Sequence, residues 1–285
     1  YGIPKGGNDY FIQITTDQVV WGGLSGATPA EAVSWGKVNP GVLPDTVVAY
    51  CDSTIAFPLF CEYVVGSEHN RRPRKELIHR RDELVATLKR IVEATSPGVP
   101  VTLLLHDWGC FFGYQFAMRH PALVKRIVGV DIGDAGSAEH LREIGAKGRV
   151  MVFAYQFWLA LAWRSGGAVG DGMTRMMARA LRCPSDPALI GSHMCYPYYI
   201  RWFGKHGSYR HARPLTLSWP LLYIFGEKKP FQFHSRAWVE DLRDRPGCEA
   251  HAFPTGHWVM KARPAEFNQT VAAWLDATAQ AATPA

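Results

Sequence analysis

The stretch VTLLLHDWGCFFGYQFAMRHP, residues 101–121, decides the fold. An apolar, strand-like run ends at Asp107, and a short turn of small residues leads into a helix-like segment. Taking an ionised carboxylate out of water costs several kcal/mol unless other groups compensate, so a carboxylate is unusual at the end of an apolar run. The position of Asp107 therefore predicts a functional site at this strand-to-helix turn.

The residues that follow Asp107 favour a tight turn. Gly109 makes room for the turn, and Gly113, one helical turn later, permits close packing of the helix. The free N–H groups and the dipole at a helix N-terminus favour a negative charge at Asp107. We therefore expect this turn to hold the carboxylate out into a cleft.

Composition and charge indicate one large globular domain. The chain has 285 residues, of which 47% are hydrophobic and 20% charged, with a net charge of +6. The densest basic patch, residues 68–93, also contains acidic residues. Leucine and isoleucine recur in it at helical spacing, at Leu77, Leu84, Leu88 and Ile91. A solvated amphipathic helix explains this patch better than a nucleic-acid surface does, so we expect no nucleic-acid partner.

Cysteine spacing and hydropathy predict a cytoplasmic protein. The six cysteines, at positions 51, 61, 110, 183, 195 and 248, include no CxxC pair and are expected to be reduced thiols. The longest apolar segment, Val150–Trp163, is too short to span a bilayer. The first residues show no signal-peptide pattern.

Strand-like and helix-like segments alternate along most of the chain. Short, continuous apolar strands between helices are typical of a parallel sheet that is covered on both faces. From residue 136 to residue 213 the pattern is helical only and rich in aromatic residues and methionine. The sequence therefore predicts an α/β fold with a mostly parallel, doubly wound sheet, formed by residues 1–135 and 214–285, and an inserted helical cap at 136–213.

Three chemically active residues follow predicted strands: Asp107, Asp131 and His257. In a parallel sheet, functional groups gather beyond the carboxyl ends of the strands. A strand–turn–helix with an exposed central side chain is the nucleophile-elbow arrangement, here with aspartate in place of serine. We expect these three side chains to meet at one edge of the sheet.

The segments HDWGCFFGYQFAMRHP, at 106–121, and FPTGHWVMKARPAEFNQTVAAWL, at 253–275, make the chain similar to a known family. They resemble the epoxide hydrolase and haloalkane dehalogenase branch of the α/β-hydrolase superfamily. The resemblance implies that Asp107 attacks an sp³ carbon and that water activated by His257 cleaves the resulting ester. It implies no metal and no organic cofactor.

The residue that orients His257 is less evident from the sequence. Many family members place an acid three residues after the glycine that ends the late strand, where this chain has Lys229. The alternative family position follows the strand after the elbow helix, and there the sequence has Asp131, 131 − 107 = 24 residues after the nucleophile. We favour Asp131 as the orienting acid and leave Glu227 and Asp134 as alternatives.

The resemblance also implies an oxyanion hole and a substrate site. The backbone N–H groups of Trp108 and Gly23 correspond to the oxyanion donors, although the usual HGxP motif reads WGGL here. Cap tyrosines in epoxide hydrolases donate hydrogen bonds to the epoxide oxygen, and HMCYPYYIRWF supplies such residues. The expected substrate-binding residues are Tyr196, Tyr199, Tyr155, Trp158 and Trp258.

The sequence thus favours hydrolysis of a small apolar epoxide to a diol. Haloalkane dehalogenation is the main enzymatic alternative, because Trp108 fits a halide-binding indole. A hydrolase-fold binding protein with little turnover is a third interpretation, since the chain departs from the family at the HGxP and GxxD positions. A homodimer is left open.

Overall fold

The computed structural model describes residues 10–14, 19–23, 47–50, 81–185, 187–203 and 212–280. The segment TPAEAVSWGKV, residues 28–38, has the pattern of a helix with Pro29 in its first turn, but it lies outside the described residues. Leu77 and the cysteines at 51 and 61 also lie outside them.

In the described part of the chain, the centre of the fold is a parallel sheet of five strands, and strands that follow one another in the chain are neighbours in the sheet. Its strands are β3 Val47–Tyr50, β4 Val101–His106, β5 Val124–Val130, β6 Leu221–Gly226 and β7 Glu249–Phe253. Two further strands, β1 Tyr10–Ile14 and β2 Val19–Gly23, pair antiparallel in a second sheet. The apolar run in DQVVWGGLSG, residues 17–26, predicts β2 as a strand that ends in a glycine turn.

Helices follow most strands, as the alternating pattern predicts. They are α1 Arg81–Thr95, α2 Trp108–Arg119, α3 Ala138–Glu143, α4 Gly145–Ser165, α5 Gly167–Ala180, α6 Tyr196–Phe203, α7 Arg236–Arg243, α8 Val259–Ala262 and α9 Pro264–Gln280. Helices α3 to α6 lie between β5 and β6 in the chain, within the segment predicted to be a cap, and we refer to these four helices as the cap. Among the described residues, no helix combines the length and the apolar character needed to cross a bilayer.

The two faces of the sheet form two separate hydrophobic cores, because side chains alternate along a strand. On one face, Leu103 and Leu105 of β4 pack with residues of α1, α2, α7 and the cap. On the other face, Leu104 packs in a cluster with residues of α8 and α9 such as Phe267 and Trp274. This burial on both faces explains why the central strands are apolar at successive positions.

Strand register brings the predicted site residues to one edge. His106, the last residue of β4, pairs with Val130, the last residue of β5, and Val130 pairs with Ile224 of β6. Asp107 follows His106 and Asp131 follows Val130 in the sequence, so the two aspartates lie side by side where their strands end. The chemical groups are thus gathered by the register of neighbouring strands.

Helix α2 packs closely on β4 at Gly113. A Cβ atom at this position would overlap the side chain of Leu105, which is only 1% exposed. Because Gly113 has no side chain, helix α2 can lie this close to strand β4. This confirms the packing role predicted for Gly113.

The Gly113→Ala variant is expected to lower the free energy of unfolding by about 1–3 kcal/mol, because the added methyl group must displace buried Leu105. The measurement is urea unfolding followed by circular dichroism. Gly172 is a matched control: it lies in α5, and a Cβ there would meet nothing within 4 Å. Gly172→Ala should raise stability by up to about 1 kcal/mol through helix propensity. Equal effects of the two changes would contradict the packing argument.

Candidate active site

Asp107 occupies a strained backbone position between β4 and α2. Its φ is 48° and its ψ is −121°, whereas non-glycine residues rarely adopt positive φ. Asp131, just after β5, has a φ of 72°. Conformations of this kind cost about 1–3 kcal/mol each and concentrate at functional sites, where the surrounding structure enforces them. Both carboxylates are therefore presented by backbone turns that the sheet holds in place.

The carboxylate of Asp131 is fully buried and bonded through both oxygens. Its Oδ2 lies 2.5 Å from Nδ1 of His257. Its Oδ1 accepts a hydrogen bond of 3.0 Å from the backbone N–H of Gly226 and forms an ion pair with the ammonium group of Lys229. The structure thus brings Asp131 and His257 together, and it adds Lys229 as a second partner of the same carboxylate.

Charge explains how a buried carboxylate remains ionised here. Burial alone would raise the pKa of Asp131, but Lys229 and then His257 more than offset this, so that the pKa lies below its ordinary value. For Lys229, burial lowers the pKa of the ammonium group, against the opposing charges of Asp131 and Asp107. Each member of the pair depends on the other for its charged form.

His257 lies in the loop after β7, and this loop is fixed against the end of β6. The backbone N–H groups of Glu227 and Lys228 donate to the carbonyls of Phe253, at 3.0 Å, and Thr255, at 2.8 Å. A Cβ atom at Gly226 would overlap the carbonyl oxygen of Gly256, so only glycine permits this approach. The loop that carries His257 is therefore held against the strand that leads to Lys229.

Buried His106 lies against the backbone and the ring of His257. Its Nε2 lies 3.3 Å from the carbonyl oxygen of His257, and the two ring centroids are 4.5 Å apart. Trp258 completes this cluster, with ring centroids 4.9 Å from His257 and 5.3 Å from His106. Trp258 therefore contacts the imidazole directly, next to the predicted substrate site.

Glu227 and Asp134, the alternative orienting acids, have surroundings that differ from those of Asp131. The side chain of Glu227 is exposed. Asp134 accepts hydrogen bonds from the hydroxyl of Ser137, at 2.6 Å, and from the backbone N–H and hydroxyl of Ser235, both at 2.7 Å. Asp134 thus joins the start of α3 to the start of α7. Of the three acids, Asp131 is the one bonded to His257.

Two cap tyrosines lie close to Asp107 and Trp108. The ring of Tyr198 meets the indole of Trp108 edge-on, with centroids 5.2 Å apart, and lies 6.1 Å from the ring of Tyr155. Burial and then the charge of Asp107 raise the pKa of Tyr155 above its ordinary value. Nε2 of Gln156 donates to the phenol oxygen of Tyr155 at 3.1 Å, so this phenol keeps its own proton for donation.

The structure places the other predicted cap residues against different neighbours. Tyr199 stacks on Trp163 at 4.2 Å and on Phe203 at 5.3 Å, inside the cap. The indole N–H of Trp158 donates to the carbonyl of Met173 at 3.1 Å, again within the cap. Tyr196 is 3% exposed and belongs to the same apolar core as the sheet. The i, i+3 spacing identifies residues that share a helix face, but it does not indicate which face meets Asp107.

Trp108 is the first residue of α2, so its backbone N–H belongs to the first turn, where helix N–H groups have no partner within the helix. This is the geometry expected of an oxyanion donor next to Asp107. Gly23 ends β2, opposite Tyr10 of β1. Its role as the second donor stays a prediction. Within the part of the chain that the structure describes, no group of three His, Cys, Asp or Glu side chains is placed to hold a metal ion.

Solved structures with the same architecture are α/β hydrolases. An epoxide hydrolase variant from Bacillus megaterium, bound to a diol product, superposes with a TM-score of 0.52 at 18% identity, over 72% of this chain and 78% of that chain. A loop variant of a haloalkane dehalogenase from Bradyrhizobium elkanii gives a TM-score of 0.50 at 14% identity, over 72% and 76% of the two chains. The protein therefore has the α/β-hydrolase fold, as the sequence predicts.

The N-terminal part of the chain shows a different similarity. Residues 3–64 match the deoxyhypusine synthase family. A deoxyhypusine synthase-like protein from Nostoc sp. is 52% identical over 88 residues, which are 31% of this chain and 23% of that protein. A deoxyhypusine synthase homologue from Archaeoglobus fulgidus is 54% identical over 74 residues, 22% of this chain and 24% of that protein. The chain thus spans about a quarter of the length of these relatives.

This similarity bears on the predicted role of Gly23. The segment that contains WGGL lies inside the matched residues 3–64, so its glycines have an explanation other than an oxyanion loop. Sequence periodicity does not reveal the match, because apolar runs followed by glycines occur in many folds. The inclusion of these residues in the hydrolase core also stays a prediction.

Replacing Asp131 by asparagine should destabilise the protein by about 2–4 kcal/mol, because buried Lys229 then loses its counter-charge. The measurement is urea unfolding at pH 7. Glu227→Gln is the control and should change stability by no more than about 0.5 kcal/mol, since that side chain is exposed. A stability of Asp131→Asn equal to that of the wild type would show that the ion pair contributes nothing.

Proposed function

We propose that this protein hydrolyses a small apolar epoxide to a diol through a covalent ester on Asp107. The observation that carries the proposal is the hydrogen bond between buried Asp131 and His257, at the sheet edge where Asp107 holds its positive-φ turn. A carboxylate suits this reaction, because it attacks carbon without prior deprotonation and forms an ester that water can cleave.

In the first step, an oxygen of Asp107 attacks an epoxide carbon and the C–O bond at that carbon breaks. The epoxide oxygen becomes an alkoxide and takes a proton from a cap tyrosine. Tyr155 and Tyr198 are the proposed donors, because they contact each other and lie beside Asp107 and Trp108. The products of this step are a hydroxyalkyl ester of Asp107 and a tyrosinate.

In the second step, the neutral imidazole of His257 takes a proton from water as the water oxygen attacks the ester carbonyl. Asp131 accepts a hydrogen bond from Nδ1–H and stabilises the imidazolium that forms. The backbone N–H of Trp108 is the proposed donor to the oxyanion. Collapse releases the diol and the carboxylate of Asp107, and the imidazolium proton returns through solvent to the tyrosinate.

A halide leaving group is the second candidate, because Trp108 lies directly beside Asp107 and is only 7% exposed. Two features favour the epoxide. Tyr155 and Tyr198 supply O–H donors that an opening ring needs and a departing halide does not. In addition, the position of the second halide-binding residue in the resembling dehalogenases corresponds to Gly23, which has no side-chain donor.

The match of residues 3–64 does not lead us to propose deoxyhypusine synthase activity. The matched segments make up only 23% and 24% of the Nostoc and Archaeoglobus proteins. Most of the length of those proteins has no counterpart in this match. The proposed chemistry therefore rests on residues 101–258.

Single turnover of an aryl epoxide in ¹⁸O-labelled water is expected to place the label in Asp107, because water attacks the ester carbonyl and not the epoxide. Mass spectrometry of the peptide that contains Asp107 is the measurement. Asp107→Asn should reduce turnover at least about 10³-fold, since an amide is a poor nucleophile. Label that appears only in the diol would exclude the covalent mechanism.

His257→Gln provides the matched control for this experiment. The variant retains Asp107, so the ester should form and then accumulate because no base activates water. A mass increase on the Asp107 peptide would show the trapped intermediate. A binding protein without turnover would show no mass increase in either the wild type or His257→Gln.

Tyr155→Phe and Tyr198→Phe should each slow ester formation by about 10- to 100-fold, which corresponds to losing roughly 1–3 kcal/mol of hydrogen bonding to the developing alkoxide. Stopped-flow fluorescence of the pre-steady state is the measurement. Tyr199→Phe is the control, because Tyr199 stacks inside the cap and should affect the rate less than about threefold. Rapid bromide release from a bromoalkane that none of these changes affects would favour the dehalogenase instead.

A further inference from the structure

Lys229 is a buried cation that the proposed reaction does not use directly. Its side chain is 7% exposed, and its ammonium group pairs with Oδ1 of Asp131. It also lies 5.8 Å from the centroid of the Phe233 ring. Lysine is rarely buried without a specific partner, and here the partner is the carboxylate that also binds His257.

The two carboxylate oxygens of Asp131 have different partners. Oδ1 is held by Lys229 and by the backbone N–H of Gly226, while Oδ2 faces Nδ1 of His257. A carboxylate can rotate about its terminal bond. Two donors on Oδ1 remove this freedom and direct Oδ2 at the imidazole. Lys229 therefore fixes the orientation of the acid.

The charge of Lys229 and the charge of Asp131 have opposite effects on the protonation of His257. An isolated carboxylate stabilises the imidazolium form of a neighbouring histidine, whereas an ammonium group on the same carboxylate weakens that stabilisation. With the lysine in place, His257 is bonded to a carboxylate whose charge is largely balanced. The imidazole then keeps its neutral form to lower pH.

Titratable side chains from several elements face this cluster. Burial, with Lys229 as the next cause, lowers the pKa of His234 to about 4. Burial and then the charge of Asp131 raise the pKa of Tyr223 well above its ordinary value. Asp107 and Asp131 are the carboxylates of the site. Buried His106 is a second histidine in contact with His257, with ring centroids 4.5 Å apart, so its ring signal is followed beside that of His257.

We propose that Lys229 is a positioning residue that orients Asp131 and, through its charge, keeps His257 in the neutral, proton-accepting form at lower pH than Asp131 alone would allow. The catalytic consequence rests on the proposed function, because only a neutral His257 accepts a proton from water. The effect on the titration of His257 does not depend on any turnover.

The test is an NMR titration of the His257 ring in the full chain, with the signal identified by its loss in His257→Gln. In Lys229→Met, the titration midpoint should rise by about one pH unit, as expected for removing one charge from a buried neighbour. Lys229→Gln keeps a hydrogen-bond donor without the charge and should shift the midpoint in the same direction. It also serves as the second variant if the methionine protein does not fold.

Two lysine variants serve as controls. Lys228→Met removes the same charge one residue earlier, from an exposed side chain, and should leave the midpoint within about 0.2 pH units, because water and salt screen that charge. Lys229→Arg keeps the cation and should give a midpoint close to that of the wild type. A general structural disturbance would not restore the midpoint when arginine replaces lysine.

The rate of ester hydrolysis should fall at acid pH as His257 becomes protonated. In Lys229→Met and Lys229→Gln, the pH at which this rate falls should rise by the same amount as the NMR midpoint. A shifted midpoint in a protein without turnover would support the role of Lys229 and contradict the proposed hydrolysis. An unchanged or lowered midpoint in the neutral variants would overturn the role of Lys229, whether or not the protein turns over epoxides.

Discussion

The site depends on one buried carboxylate with three partners. Asp131 follows β5 and binds Gly226 at the end of β6, Lys229 in the next loop and His257 in the loop after β7. A charge in this position is tolerable only because each oxygen has charged or polar partners. The same contacts that compensate the buried charge also join three consecutive segments of the sheet edge.

The sheet supplies the geometry that these contacts need. Its two hydrophobic cores fix the strands from both faces, and the paired ends of β4 and β5 place Asp107 and Asp131 next to each other. Close packing at Gly113 and at Gly226 then sets the elbow helix and the His257 loop against the sheet. The cap helices contribute aromatic side chains, and among these Tyr198 contacts Trp108. Packing of the sheet and of the elements next to it thus sets the positions of these groups.

The sequence predicts the parts of this arrangement that follow from strand ends. Asp107, Asp131 and His257 are identifiable because parallel strands deliver their following residues to one edge. Tyr198 is not, since the face of α6 that meets Trp108 depends on how the cap helices pack. Tyr199, one residue later, stacks on Trp163 instead. In the sequence, Lys229 is noticed only because it stands where the resembling hydrolases have an acid, and its ion pair with Asp131 is seen only in the structure. The similarity of residues 3–64 to deoxyhypusine synthase leaves no trace in hydrophobic periodicity.

The positive φ angles of Asp107 and Asp131 have a consequence for how the site comes into existence. In an unfolded or partly folded chain, both residues relax to ordinary backbone conformations, because nothing opposes the relaxation. The arrangement of Asp107 and Asp131 is held only when β4, β5 and β6 are paired and packed, so it forms together with the sheet. A chain with a loosened sheet would contain every residue of the candidate site without their arrangement.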